Sequence, residues 1–231
     1  MNNLAIIPAR SGSQRIPRKN IKEFFGKPII AYSIELALKS TLFEEVMVST
    51  DSNEIASIAK TNGASVPFLR SEINSNNYAT LTDVILEVIQ NYHENGKQFN
   101  TVCCILPTAA LITSERIIEA YTTFQEKELS SIIPVIKFSY PIQRALKDNN
   151  GLIQMCEPEY LKARSQDLES FYHDSGQFYW IRIQELLKWK SIFTQNTGYL
   201  ELHDLEAQDV DTQMDWDLLT LKYNYKLNKI F

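Results

Sequence analysis

Two stretches of this chain hold residues whose types and spacing could do chemistry. The first runs Pro8-Ala9-Arg10-Ser11-Gly12-Ser13-Gln14-Arg15-Ile16-Pro17-Arg18-Lys19-Asn20. It gathers Arg10, Arg15, Arg18 and Lys19 in one short polar segment, with Gly12 among small residues. Backbone N–H groups beside a glycine can approach an anion closely. Guanidinium and ammonium groups make charge-assisted hydrogen bonds to phosphate oxygens. The segment therefore reads as a cradle for a triphosphate, the alternative being a solvated basic loop. Neither the GxxxxGK[ST] nor the GxGxxG spacing is present. The second stretch is Asp209-Val210-Asp211-Thr212. On an extended backbone, residues i and i+2 project to one side. Two carboxylates so placed form a hard oxygen site suited to Mg²⁺, which bridges to substrate phosphates. Taken alone, the pair could equally be a loop leading into a capped helix. A haloacid-dehalogenase-type DxDxT requires a large α/β core after it, and only about a helix's worth of chain follows. Nucleotide-sugar glycosyltransferases also use Asp-x-Asp and remain the runner-up.

These stretches need a scaffold, and the hydrophobic pattern supplies one. An apolar run at 4–7 ends at Pro8 and reads as a buried strand. Ile30, Ile34, Ala37 and Leu38 mark one face of a helix that begins near Pro28. A second strand covers 46–49, and Asp51 with Glu54 is expected to cap the helix after it. A helix over about 80–96 turns Leu81, Val84, Ile85, Val88, Ile89 and Tyr92 inward. A strand at 102–106, a helix marked by Ile117, Ile118, Tyr121 and Phe124, and a strand at 131–136 follow. Alternation of this kind argues for a mostly parallel sheet with helices on both faces. After about residue 138 the rhythm changes. Lys147-Asp148-Asn149-Asn150-Gly151 signals a hairpin turn, and the segment 138–175 reads as a small insertion in a single domain, 1–231. A strand at 177–183 and a final helix, with Thr212 and Asp215 at capping-box spacing, close the chain.

The formal net charge is −5. A net-negative chain has no global attraction to nucleic acid or anionic lipid, so neither is an expected partner. No apolar run is long enough to span a bilayer, and the start has too short an apolar core for a signal peptide. Cys103, Cys104 and Cys156 lack metal-ligand spacing and read as small buried hydrophobes in a reducing compartment. The expected location is the cytoplasm. His173-Asp174 reads as a structural histidine beside an acid, and no Ser-His-acid set is recognisable.

Ile6-Ile7-Pro8-Ala9-Arg10-Ser11-Gly12-Ser13, continued by Arg15-Ile16 and Lys19-Asn20, resembles the nucleotide-binding signature of the acylneuraminate cytidylyltransferases, the CMP-sialic acid synthetase family. That resemblance implies a Rossmann-like α/β fold of the nucleotide-diphospho-sugar transferase type. It implies that Arg10, Ser11, Ser13, Arg15 and Lys19 hold the phosphates of CTP, within a loop that includes Ala9 and Gly12, and that Asn20 sits near the ribose. The family carries lysine where this chain has Gln14, with Arg15 or Arg18 as substitutes. Gln208-Asp209-Val210-Asp211-Thr212, with Asp215-Trp216, is similar to the family's closing motif. By that likeness Asp209 and Asp211 bind catalytic Mg²⁺ (Mn²⁺ as the alternative), and Arg10 and Lys19 complete the catalytic set. Pro67-Phe68-Leu69-Arg70 and Ala79-Thr80-Leu81-Thr82-Asp83 resemble the cytosine-recognition segment, which assigns Arg70 and Ala79 to the base and adds Thr80 to the CTP-binding residues.

Leu106-Pro107-Thr108-Ala109 resembles the strand-end motif that meets the sugar. Sialic acid members commonly have glutamine at the place of Leu106, so a less polar sugar is implied. Three later segments, at 139–146, 164–168 and 172–180, look like the subgroup whose sugar is pseudaminic acid. With the 106–109 motif they assign Thr108, Arg144, Arg164, Gln166, Gln177 and Tyr179 to a nonulosonic acid, its carboxylate paired with either Arg144 or Arg164. The family also implies a homodimer, with the insertion reaching the partner's sugar site. N-acetylneuraminate, legionaminate and Kdo are rival sugars. A nucleotide-binding module without turnover is the non-enzymatic rival.

Overall fold

The computed structural model describes residues 2–228. In chain order the strands and helices are β1 (Asn3–Pro8), β2 (Glu23–Phe24), β3 (Lys27–Pro28), α1 (Ile29–Ser40), β4 (Glu45–Ser49), α2 (Asn53–Thr61), α3 (Glu72–Ser75), α4 (Leu81–Glu94) and β5 (Thr101–Ile105). Then come α5 (Ser114–Glu126), β6 (Ser131–Lys137), β7 (Leu146–Asn149), β8 (Leu152–Met155), β9 (Tyr172–Asp174), β10 (Phe178–Arg182), α6 (Ile183–Trp189), β11 (Thr197–Leu202) and α7 (Gln213–Asn228). The main sheet has the order β11-β6-β10-β5-β1-β4, and β9 also pairs with β6. β4, β1 and β5 are parallel, as are β6 and β11. β10 runs antiparallel between β5 and β6.

Strand alternation divides the core into two layers. Ala5, Ile7, Cys103, Ile105, Phe178 and Trp180 face one side, against α1, α2 and α5. Leu4, Ile6, Val102, Cys104, Tyr179 and Ile181 face the other, against α4 and α6. The neighbouring cysteines thus point to opposite faces, as a period of two requires. Both are buried, and burial pushes both thiols up. The result is the expected three-layer, mostly parallel α/β fold. No helix among the described residues is long and apolar enough to cross a membrane.

Several local expectations are corrected. Leu38 and Ile118 lie on exposed helix edges, because the sheet covers a narrower stripe of α1 and α5 than the apolar pattern suggests. Ser52, not Asp51, caps α2, and its side chain accepts the Ile55 N–H. Cys156 is exposed. Ile183 opens α6 instead of ending a strand. β9, β11 and α6 carried no signal strong enough to be read. The segment 138–171 leaves the main sheet, closed at its base by a Phe138 N–H bond to Phe171 O. It carries the β7–β8 hairpin, with Asn150 and Gly151 both at positive φ in its turn.

A third apolar cluster joins the two ends of the chain. Ile16, Phe24 and Ile29 pack with Val210, Trp216 and Leu219. Ile16 belongs to the basic loop and Val210 is the central residue of the Asp-x-Asp. Burying each is worth about 1.5–3 kcal/mol, so hydrophobic contact brings the two polar stretches together.

Candidate active site

Val210 is fully buried. Its two neighbours, Asp209 and Asp211, consequently turn the other way, toward a cleft beyond the C-terminal ends of β1, β4 and β5. The cleft has a volume of about 260 Å³. Its polar wall includes Arg10, Lys19, Asn20, Arg70, Asp209 and Asp211. Its apolar wall includes Leu81, Val84, Leu106 and Pro107. A larger cavity, about 450 Å³, lies between α4 and α6. Leu86, Ile89, Phe99 and Leu187 line it, and it holds neither the basic loop nor an aspartate. The smaller cleft is the one with chemistry.

The loop and the acid pair are in direct contact. Arg15 Nη2 lies 2.7 Å from Asp211 Oδ1, and Lys19 Nζ lies 3.7 Å from the same oxygen. Lys19 also donates to the carbonyl of Val210. Asn20, buried, donates from Nδ2 to Arg10 O at 2.9 Å and holds the loop closed. Arg10 reaches across the cleft mouth to Asn77 Oδ1 at 2.6 Å and Asn76 O at 3.1 Å. Arg18 pairs with Glu54, outside the cleft.

Asp209 forms no ion pair with another described residue. Solvent still reaches it, yet protein crowds its remaining sides. Desolvation, then the negative charge of Asp211, raises its carboxyl above the ordinary value. A cation near the pair would relieve both effects. Among the described residues no three His, Cys, Asp or Glu side chains are grouped to hold a metal. A divalent cation here would have two carboxylates and oxygens from a ligand, the pattern expected for Mg²⁺ with a phosphorylated substrate.

Arg70 is buried, and desolvation lowers its guanidinium from the usual value. It donates from Nε to Ser49 Oγ at 3.0 Å and from Nη2 to Ser49 O at 2.5 Å. Ala79 and Thr80 form the opposite wall of the cleft. Thr80 is simultaneously the N-cap of α4, in a capping box with Asp83. Thr108 is buried and lines the cleft beside Leu106. Ala9 is buried beneath the loop, while Ser11, Gly12 and Ser13 lie on its rim.

The remaining expected sugar residues are not among those lining this cleft. Gln177 is fully buried, and its amide turns back to donate to the carbonyls of Ser175 and Gly176. Tyr179 is buried in the α4-side core, and its hydroxyl donates to Asp174 Oδ2 at 2.9 Å. Tyr179 lies on the sheet face that carries Cys104 and Ile181, Gln177 sits in the bend before β10, and neither lines the cleft. Arg144, Arg164 and Gln166 belong to the inserted arm. Arg144 donates to Ser165 Oγ at 3.4 Å, Arg164 pairs with Asp167 at 2.6 Å, and Gln166 is exposed. None of the three lines this cleft. Sequence reasoning missed Asn74, Asn76, Asp51 and Gly176. The run Asn74-Ser75-Asn76-Asn77 has a turn-favouring composition that could have marked this wall. Asn76 Oδ1 accepts the N–H groups of Tyr78 and Ala79 and shapes the wall there. Gly176, at φ +63°, packs its Cα against the Asp209 carboxyl.

A family model described as Cytidylyltransferase matches residues 4–215. The chain belongs to the cytidylyltransferase family. Membership makes it a CTP-dependent nucleotidyltransferase. The match takes in both the basic loop and the aspartate pair. A Campylobacter jejuni protein named pseudaminic acid cytidylyltransferase is 40% identical over 229 residues, covering 99% of this chain and 98% of the relative. A Legionella pneumophila protein named CMP-N,N'-diacetyllegionaminic acid synthase is 33% identical over 228 residues, 94% of each. A solved CMP:2-keto-3-deoxy-manno-octonic acid synthetase complexed with CTP superposes with a TM-score of 0.72. It is 17% identical, covers 98% of this chain and 100% of its own, and shares the fold of the cytidylyltransferase.

Proposed function

We propose that the enzyme transfers CMP from CTP to the anomeric 2-hydroxyl of pseudaminic acid and releases pyrophosphate. The observation that carries this reading is the Arg15–Asp211–Lys19 contact, which brings a cationic loop and a carboxylate pair to one cleft. The 40% identity to the Campylobacter jejuni enzyme supports the choice of sugar. So does the apolar wall at Leu106, which suits a sugar ending in a methyl group.

Arg10, Lys19 and the Gly12 N–H hold the β- and γ-phosphates and stabilise the departing pyrophosphate. Arg70, Ala79 and Thr80 face the base, and Asn20 lies near the ribose. Thr108 and Leu106 meet the sugar. The hydroxyl oxygen attacks the α-phosphorus in line. One P–O bond forms, the hydroxyl proton passes to solvent, and the bond to the β-phosphate oxygen breaks, a step governed by positioning and charge neutralisation. Asp209 and Asp211 fit Mg²⁺, with Mn²⁺ as an alternative, and the ion when bound neutralises charge on the phosphoryl oxygens.

The arm supports a homodimer. Leu146, Leu152, Ile153 and Leu161 are each at least 60% exposed on it, a patch of the kind that marks an association surface. In such a dimer Arg144, Arg164 and Gln166 reach the partner's sugar site. The reaction is placed in the cytoplasm, where CTP is available and Cys103 and Cys104 stay reduced. The test is a panel of pseudaminic, legionaminic and N-acetylneuraminic acids and Kdo, each with CTP and Mg²⁺, read by pyrophosphate release. Pseudaminic acid is expected to give the highest kcat/KM. Preference for another sugar overturns the specificity, and no release with any of them overturns the reaction.

A further inference from the structure

Asp51 stands just beyond the C-terminal end of β4, beside the loop that leaves β1. Freed from the capping role that Ser52 fills, its carboxylate turns to Ser11. Oδ1 accepts the Ser11 N–H at 2.8 Å, and Oδ2 accepts the Ser11 hydroxyl at 2.6 Å. Burial alone would raise this carboxyl, yet the two Ser11 bonds, its own backbone N–H and the charge of Arg70 together hold it below the ordinary value. Two further bonds brace the same strand tips. The Ala9 N–H donates to Ser49 O at 2.9 Å, and Arg70 holds Ser49.

A serine hydroxyl has one hydrogen to donate. With that hydrogen and the N–H both given to Asp51, Ser11 has no donor left for a phosphate. The Ser13 N–H is also taken, by Ser11 O at 2.9 Å. Among the described residues, the Gly12 N–H between them has no acceptor. The bend at Ser11 therefore presents Gly12 and its free N–H at the rim.

We propose that Asp51 is a positioning residue for nucleotide binding. It clamps Ser11 so that the Gly12 N–H and the Arg10 side chain are presented together to the triphosphate of CTP. Ser11 serves as the clamp's handle, and its expected role as a phosphate ligand is reassigned to Gly12. The inference rests on the proposed use of this loop for CTP.

The test compares wild type with Asp51→Ala and Asp51→Asn in steady-state pyrophosphate release, varying CTP and sugar separately. Hydrogen bonds to a charged group are strong enough that losing them costs about tenfold to a hundredfold in affinity. Asp51→Ala is expected to raise KM for CTP by at least about tenfold, with kcat within about threefold and the sugar KM unchanged. Asn keeps one acceptor oxygen, so Asp51→Asn is expected to recover part of the loss. It also nearly preserves shape, and carries the test if the alanine variant does not fold. A lowered CTP KM would mean that Asp51 competes with phosphate, and overturns the proposal. A CTP KM within about twofold of wild type in both variants overturns it too, as does an equal rise in the two KM values. If wild type itself releases no pyrophosphate, the functional reading fails and takes this inference with it. If wild type turns over normally and the variants match it, only the clamp fails.

Discussion

Gly176 gives the sharpest test of how the fold seats its acid. A Cβ added there would lie 3.0 Å from Asp209 Cγ and 3.2 Å from its Oδ1. Ordinary contact begins at about 3.4 Å, so Gly176→Ala requires the carboxyl to move by roughly 0.4 Å. A misplacement of about 1 Å can cost about a hundredfold in rate, and scaling the exponent to 0.4 Å gives roughly sixfold in kcat. The backbone adds a separate cost. At φ +63° an alanine is strained by about 1–2 kcal/mol, which lowers Tm by about 2–8 °C in a domain of this size. Gly96→Ala separates the two effects. Gly96 also has a positive φ, +76°, but nothing lies within 4 Å of its virtual Cβ. It is expected to lower Tm similarly with no change in kcat. The assay is initial-rate pyrophosphate release at saturating CTP and sugar, paired with thermal unfolding. A Gly176→Ala enzyme with kcat within twofold of wild type would refute the steric argument. An equal loss of kcat in Gly96→Ala would refute it as well.

Other predictions concern the arm and acid stability. Leu152→Asp places a charge at a residue 73% exposed in the single chain. It is expected to weaken self-association by roughly tenfold to a hundredfold, shifting light scattering toward monomer; unchanged mass would argue against an arm-mediated dimer. Glu206 is held by Arg116 through two 2.8 Å bonds, and that pairing lowers its carboxyl pKa. A depressed carboxyl stabilises the fold above its unfolded value, near 4.5, and the contribution disappears as pH falls through the folded value. The two side chains remain 25% and 29% exposed, which limits the pair to about 1 kcal/mol. Glu206→Gln should therefore melt earlier than wild type at pH 7, and the gap should close as pH falls from about 4.5 through the depressed folded value. A gap that persists in acid would remove this pair from the account.

The parts of the molecule legible in sequence are those where one local pattern fixes one outcome. Alternation at 102–105 placed Cys103 and Cys104 on opposite faces, and the Asn150-Gly151 turn placed the hairpin. The capping-box spacing of Thr212 and Asp215 gave the start of α7, and the apolar pattern over 80–96 gave α4. The basic loop and the Asp-x-Asp were visible as chemistry. What joins them, Ile16 packing with Val210, depends on contacts nearly two hundred residues apart and leaves no local signal. The same limit explains Asp51. Its spacing to Glu54 suggested a cap, but the neighbouring Ser52 took that role and the approach of the β1 loop gave Asp51 another partner. Gln177 and Tyr179 looked suited to a polar sugar by type. Both are buried at or beside β10, a strand enclosed between β5 and β6, which residue type alone does not reveal. β11 was missed because Tyr199 and Glu201 face solvent and interrupt its apolar run.

The central claim is that the basic loop and the aspartate pair act on one triphosphate. Its most direct measurement is the Mg²⁺ dependence of CTP affinity, by calorimetry, in wild type and Asp209→Asn. Wild type is expected to bind CTP more tightly with Mg²⁺ than without it, and Asp209→Asn to lose most of that difference while keeping the metal-free affinity that Arg10 and Lys19 provide. An Asp209→Asn protein whose CTP affinity responds to Mg²⁺ as the wild type does would contradict the account.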